Sequence, residues 1–552
     1  MGQRITFRVD PASYRHWRLD VQPPLARLTM AVDPLGGLRD DYELKLNSYD
    51  LSVDIELHDA LQRLRFEHPE VHVVLVTGGL DKVFCAGANI QMLAGATHAH
   101  KVNFCKFTNE TRNAIEEASA HSGQVWMAAV NGIAAGGGYE LALACDEILL
   151  IDDRSSAVSL PEIPLLAVLP GTGGLTRLVD KRHVLRDRAD VFATRAEGLK
   201  GEQALRWGLV DAVAPRSEWE RLIDERVAAR AAASDRPRSG AGLPLRPLAR
   251  ADALGVTTYD NLTVRIDREL GVAHLTVRGP AGAQPDTPEA LLAMGSGAWL
   301  LAAARELDDA VLDLRFNEPG IGTWVLHTEG DQDGVLGAEE LLRVHEGHWL
   351  VRELRLLWGR TLKRLDLSSR SLVTLVEPGS CFAGVLAELV LAADRSYMLD
   401  GSWPDADRPP PVIRLTEAND GWFCMSNGLS RLESRFWGRQ GDLDQARGQV
   451  GKDLAAPDAA DVGVVTATPD DIDWDEEIRL VLEERRSFSP DALSGLEANL
   501  RFVGPETMET KIFARLSAWQ NWIFQRPNAV GPQGALQRYG TGSRPQFDQA
   551  RV

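Results

Sequence analysis

Long apolar runs, clusters of positive charge and paired cysteines are all missing from this 552-residue chain. No stretch approaches the roughly 20 apolar residues that cross a bilayer. Residues 1–20 alternate charged and apolar side chains, unlike a signal peptide. Lys and Arg number 60 against 79 Asp and Glu, a formal charge of −19. Binding to nucleic acid or to an anionic membrane needs clustered cations, so both functions are disfavoured. Five cysteines (Cys85, Cys105, Cys145, Cys381, Cys424) are spread along the chain without a CxxC pair. That odd number and wide spacing suit neither a disulfide framework nor a structural zinc site. Gly136-Gly137-Gly138 is followed by no Gly-Lys-Ser/Thr and is no GxGxxG fingerprint, so it is not a nucleotide loop of either kind. These absences leave a reduced, cytoplasmic protein whose ligand is a small molecule.

What is present is ordinary globular composition, 44% hydrophobic and 25% charged, long enough for two or three domains. The first half alternates strand-like and helix-like segments and reads as α/β. Val73 to Thr77 is a buried strand, preceded by Leu57, Leu61 and Leu64 at helical spacing. Gln124 to Val130 is a second strand, Asn131 to Gly138 a Gly-rich turn, Tyr139 to Cys145 a short helix and Glu147 to Ile151 a strand. The Pro-, Gly- and Arg-rich stretch from Ala231 to Arg250 marks a boundary. The domains expected are therefore 1–230, a linker 231–255, a second domain 256–470 and a helical region with an extended tail, 471–552.

The second domain repeats the first in degenerate form. Val311 to Phe316 is expected to be the counterpart of the Val73 strand, and residues 372–394 echo 125–146, with Glu388 six residues before Asp394 as Glu140 is before Asp146. Asn427 to Leu432 matches Gly173 to Leu178. Near the end, Met508, Ile512, Leu516, Trp519 and Ile523 form a helical stripe expected to bury one face.

Two Gly-rich loops carry the chemical signal. Phe84-Cys85-Ala86-Gly87-Ala88-Asn89-Ile90 and Val130-Asn131-Gly132-Ile133-Ala134-Ala135-Gly136-Gly137-Gly138-Tyr139-Glu140 each put small residues where backbone N–H groups can approach a ligand. Two such groups aimed at one point form an oxyanion hole, the second helped by a helix N-terminus. A thioester carbonyl that becomes an enolate suits such a site. With Leu160-Pro161-Glu162-Ile163 and Pro170-Gly171-Thr172-Gly173-Gly174, these loops closely resemble the enoyl-CoA hydratase/isomerase (crotonase) superfamily over roughly Leu25 to Val213.

The resemblance implies a ClpP/crotonase-like fold, an active N-terminal domain and a degenerate second one. It puts the oxyanion N–H groups on Ala88 and Gly137, with Ala86 and Asn89 beside them in the substrate site, and the catalytic carboxylates on Glu140 and Glu162. Two carboxyls converging beside a desolvated pocket split their pKa values, so that one donates while the other accepts. Which one is the base stays open. Asn89 stands where the family usually has Asp, and Tyr139 where a small residue is common, which would reshape the pocket floor. In the repeat, Gly384-Val385-Leu386 replaces the three glycines and would obstruct a thioester, making Glu388 a relic.

The helix from Lys101 to Ala120 joins the two loops. Val102, Cys105, Asn109 and Arg112 share one stripe, placing Cys105 as a third active-site group, a proton donor, or else as a small core residue. The length, the degenerate copy and the Gln/Arg/Gly-rich tail resemble the ring-cleaving members of the superfamily. That similarity implies opening of 2,3-epoxybenzoyl-CoA with water to formate and an unsaturated six-carbon CoA semialdehyde, by a homodimer without metal, flavin or nicotinamide, CoA being part of the substrate. An enoyl-CoA hydratase with an extension, and a non-catalytic acyl-CoA-binding scaffold, are the alternatives.

Overall fold

A computed structural model of the chain describes residues 4–403 and 408–552; residues 1–3 and 404–407 lie outside it. The chain forms two compact units, one of residues 6–245 and one of residues 246–552 that also includes Arg4 and Ile5.

The first unit has nine strands: β1 (Trp17–Gln22), β2 (Leu25–Met30), β3 (Val73–Gly78), β4 (Lys82–Cys85), β5 (Val125–Val130), β6 (Gly132–Ala135), β7 (Glu147–Ile151), β8 (Val158–Ser159) and β9 (Ala212–Ala214). Six make the main sheet, in the order β1-β2-β3-β5-β7-β9 and parallel from β2 onward. Its central strands are apolar on both faces, as a parallel sheet covered by helices requires. On one face Val73, Leu75, Met127, Ala129 and Leu149 pack against Trp219, Ile223 and Val227 of the helix Trp219–Ala233. The alternate residues Val74, Val76, Trp126 and Ala128 are buried as well.

β4, β6 and β8 form a small second sheet, which carries both Gly-rich loops. The first five α-helices of this unit are α1 (Leu51–Phe66), α2 (Ile90–Gly95), α3 (His98–His121), α4 (Gly137–Ala144) and α5 (Glu162–Leu166). Asp50 caps α1 and Thr97 caps α3, each accepting a backbone N–H of the first turn. The segment after Ala233 is pinned down despite its linker-like composition. Arg236 is buried and donates to the carbonyls of Pro69, Ser122, Arg65 and His68, and Leu243 and Leu245 are buried too.

The second unit repeats the plan. Val272–Arg278, Thr323–Glu329, Ser371–Val376 and Arg395–Met398 are parallel neighbours in a seven-stranded sheet. Trp474–Ser487 covers one face through Trp474, Ile478, Val481 and Leu482, as Trp219–Ala233 does in the first unit. A detail fixes the correspondence: Asp146 accepts the N–H of Trp126 at 2.9 Å, and Asp394 that of Leu372 at 2.8 Å.

Two expectations are corrected. Val311 to Phe316 is helical, the end of Trp299–Asn317, and the counterpart of β3 is Thr323–Glu329. A short apolar run has no period of its own, and this helix is buried nearly all round, so the run imitated a strand. The stripe from Met508 does not bury one face within this chain: Met508 is 78% exposed and Leu516 49%. Residues Lys511–Leu516 form a π-helical turn, which rotates the stripe away from the period on which it was read. Only its far end reaches the body, where Ile523 and Trp519 crowd Gly495.

Candidate active site

The two loops meet at Gly87, whose φ of +87° only glycine adopts readily. A Cβ there would lie 2.7 Å from the Ala135 carbonyl and 3.0 Å from the Gly137 nitrogen. Tyr49, just before α1, braces the first loop: its N–H donates to the Gly87 carbonyl (3.0 Å) and its carbonyl accepts from Asn89 N–H (2.8 Å). Strand alternation turns the N–H of Ala88, between them, to the opposite side. Gly137 opens α4, where the first N–H groups have no partner inside the helix. The site thus presents two backbone donors beside a helix N-terminus, a setting in which an oxygen gaining negative charge is stabilised.

Glu140 sits in the first turn of α4, 2% exposed. Its Oε1 accepts the N–H groups of Thr172 (3.0 Å) and Gly174 (2.7 Å), and its Oε2 accepts from the Thr172 hydroxyl. Burial pushes its pKa up, and these three donors pull back. Glu162 opens α5, with Oε1 where a Cβ on Gly136 would lie 2.5 Å away. Its buried Oε2 has no protein partner. Burial, and then the charge of Glu140, raise the Glu162 carboxyl to about 7. The two carboxyls are therefore coupled but unlike: one is tethered as an acceptor, the other is free to exchange a proton near neutrality. Beyond Glu162, Leu165, Val168 and Leu169 form an exposed apolar rim.

Cys105 lies on the flank of α3, half-buried, its thiol raised to about 11 by burial and then by the charge of Glu140. It faces the Pro170 to Gly174 loop: its Sγ is 3.9 Å from where a Gly171 Cβ would be, and Asn109, one turn on, donates to the Gly171 carbonyl at 3.1 Å. Arg112 leaves that flank for a buried pair with Asp54 at 2.8 Å. Ala86 spends its N–H on the Leu46 carbonyl. Asn89 caps α2 through Met92 N–H and donates to Glu43 O and Ser48 Oγ, so it holds the loop's shape instead of offering a free polar group. Tyr139 does not form the pocket floor: its ring packs on Phe192 and its hydroxyl bonds the Leu209 carbonyl at 2.7 Å, in the core behind α4. Successive helical residues diverge by about 100°, so Tyr139 cannot share the direction of Glu140. Sequence reasoning assigned no role to Thr172 and Gly174, though the Pro-Gly-Thr-Gly-Gly run was the signal for them.

In the second unit the equivalent place is filled. Glu388, the counterpart of Glu140, is buried and bonded to Arg431 (2.9 Å) and Asn419 (2.8 Å). Val385 stands where Gly137 does, and beside it the buried carboxyl of Glu339, raised by burial to about 7, fills the space that a Cβ on Gly384 would take. A carboxyl of the chain itself thus packs against the turn.

The enoyl-CoA hydratase/isomerase family profile matches residues 43–238. The chain is similar to the benzoyl-CoA-dihydrodiol lyase of Aromatoleum evansii, 53% identical over 552 residues, covering 100% of this chain and 99% of that one. Among solved structures it resembles an enoyl-CoA hydratase of Geobacillus kaustophilus HTA426 (32% identity, 40% of this chain and 75% of that one, TM-score 0.35). Another is the enoyl-CoA hydratase of Bacillus anthracis (29% identity, 39% and 76%, TM-score 0.33). With a full-length relative at that identity and the family profile over its first unit, this chain belongs to the enoyl-CoA hydratase/isomerase (crotonase) superfamily.

Proposed function

We propose that this chain is a ring-cleaving lyase that opens 2,3-epoxybenzoyl-CoA with water, releasing formate and an unsaturated six-carbon CoA semialdehyde. The observation that carries the reading is the 53% identity, end to end, to a benzoyl-CoA-dihydrodiol lyase. The site supports it. The N–H groups of Ala88 and Gly137 would hold the thioester oxygen as charge develops on it. Tethered Glu140 would orient water as an acceptor, and Glu162 would exchange the proton. Cys105, kept as the thiol by its raised pKa, would donate a proton rather than attack. The rim at Leu165, Val168 and Leu169 gives an aromatic ring an apolar wall.

The same reading makes the enzyme cytoplasmic, independent of metal, flavin and nicotinamide, and a homodimer whose second copy covers the exposed apolar residues Met508, Phe513 and Leu516. Among the described residues no helix is long and apolar enough to cross a membrane. The test is product analysis by mass spectrometry, with epoxybenzoyl-CoA and crotonyl-CoA offered side by side. Formate from the epoxide is expected; rapid hydration of crotonyl-CoA without formate would make the chain an enoyl-CoA hydratase instead. Light scattering of the purified chain reads the dimer, and dialysis against a chelator should leave turnover intact.

A further inference from the structure

Tyr49 is buried at the loops, and the protein leaves its hydroxyl without a partner. Its backbone is locked to the first loop through Gly87 and Asn89, and its ring lies near Phe104 (centroids 5.9 Å apart) and the Arg112 guanidinium, 5.6 Å from the centroid. The residue is 1% exposed, and its hydroxyl has no hydrogen-bond partner. That hydroxyl ends against Gly137: a Cβ on Gly137 would overlap it. A tyrosine packed only for bulk would leave a costly orphan donor, which phenylalanine would avoid. The orphan lies beside the backbone donor that awaits a ligand oxygen, so the acceptor missing from the protein is the one a ligand brings.

We propose that the Tyr49 hydroxyl is a third donor to the thioester oxygen, joining the N–H groups of Ala88 and Gly137, and so a catalytic residue of this site. The inference rests on the reading of that site as a CoA-thioester pocket. Burial holds the phenol protonated far above neutral pH, so it donates and never competes as an anion. A neutral phenol adds a donor without adding charge, and its ring is buried against Phe104 and Arg112, so little reorganisation accompanies the reaction. It also gives Gly137 a second reason to be glycine: the space its Cβ would take belongs to the phenol oxygen.

The test uses the full chain and benzoyl-CoA labelled with ¹³C at the thioester carbonyl, which carries the thioester but no epoxide. Infrared difference spectra of the bound carbonyl are compared for wild type and Tyr49→Phe, with formate release from the epoxide measured in parallel. The expected result is a Tyr49→Phe protein of unchanged or higher melting temperature and unchanged affinity. Its bound carbonyl band shifts less to low frequency than that of wild type, and formate release slows by about 10²-fold, the usual loss for one such donor. Trifluorotyrosine at position 49, which keeps the hydroxyl and strengthens it as a donor, should enlarge the shift; this variant carries the test if the Phe variant fails to fold. Equal shifts and equal rates overturn the proposal while leaving the proposed function standing. Equal shifts with slowed formate release also overturn it, by moving the hydroxyl to the ring. A wild-type carbonyl that does not shift at all overturns the thioester pocket itself.

Discussion

At the residue scale the site turns on two carboxyls in unlike surroundings, and pH separates them. Glu162 loses its proton near 7 in the folded protein, so kcat/KM should show an inflection near that pH. Glu140→Gln removes the neighbouring charge, the second cause of the elevation, and should move the inflection in residual activity to lower pH. A stationary inflection would mean that another group titrates. The linkage sign follows from the same elevation. The folded state holds this proton up to about 7, the unfolded chain only to its ordinary carboxyl value. Glu162 therefore withdraws stability as pH rises between those values and none further above. Glu162→Gln should melt higher than wild type at pH 8 while losing most turnover, read by calorimetry and formate assay. Cys105→Ala should keep fold and affinity and release formate much more slowly, with Cys381→Ala, buried in the second unit, as the control. The two glutamates were legible because each belongs to a contiguous motif, and Cys105 because it falls on a helical stripe. Tyr49 was not, because nothing next to it in the chain shows that its hydroxyl ends at Gly137.

At the scale of elements, the turn from β6 into α4 is where backbone and side chains compete for the same space. Gly137→Val would drive a branched side chain into the Tyr49 hydroxyl. It should lower kcat by about 10²–10³ in steady-state assays, the loss expected of one oxyanion donor. In the repeat the same turn holds Val385, and there the Glu339 carboxyl packs against Gly384. Breaking the buried Glu388–Arg431 pair with Glu388→Ala should destabilise the chain in urea unfolding by less than the roughly 3–5 kcal/mol of an orphaned buried charge, because the Arg431 guanidinium keeps Asp366. Formate release per folded molecule should be unchanged. The strands β3, β5 and β7 were readable as apolar runs bounded by turns, and α4 by the glycines before it. The fault at Val311 to Phe316 came from an all-round buried helix, whose short apolar run carries no period, and the fault at Met508 from a π turn, which breaks one.

At the scale of the whole molecule, both ends of the described chain belong to the second unit. Arg4 pairs with Asp313, and the backbone of Ile5 exchanges two hydrogen bonds with the Asn317 side chain. Far along the sequence, Arg551 is buried with its guanidinium on Glu497 at 2.8 Å and on the Ser371 hydroxyl at 3.0 Å. Deleting residues 550–552 should lower the melting temperature of the second unit's transition, since Glu497 is left buried without its cation.

The burial of Arg551 also sets an order of manufacture. A ribosome working at 5–20 residues per second needs roughly 15–60 s to travel from residue 245 to residue 551. During that time the first unit already has every residue of its sheets, its two loops and both glutamates. The second has a sheet but lacks the arginine that neutralises Glu497. A chain stalled midway thus carries a complete first unit and a second one in which Glu497 still lacks its cation.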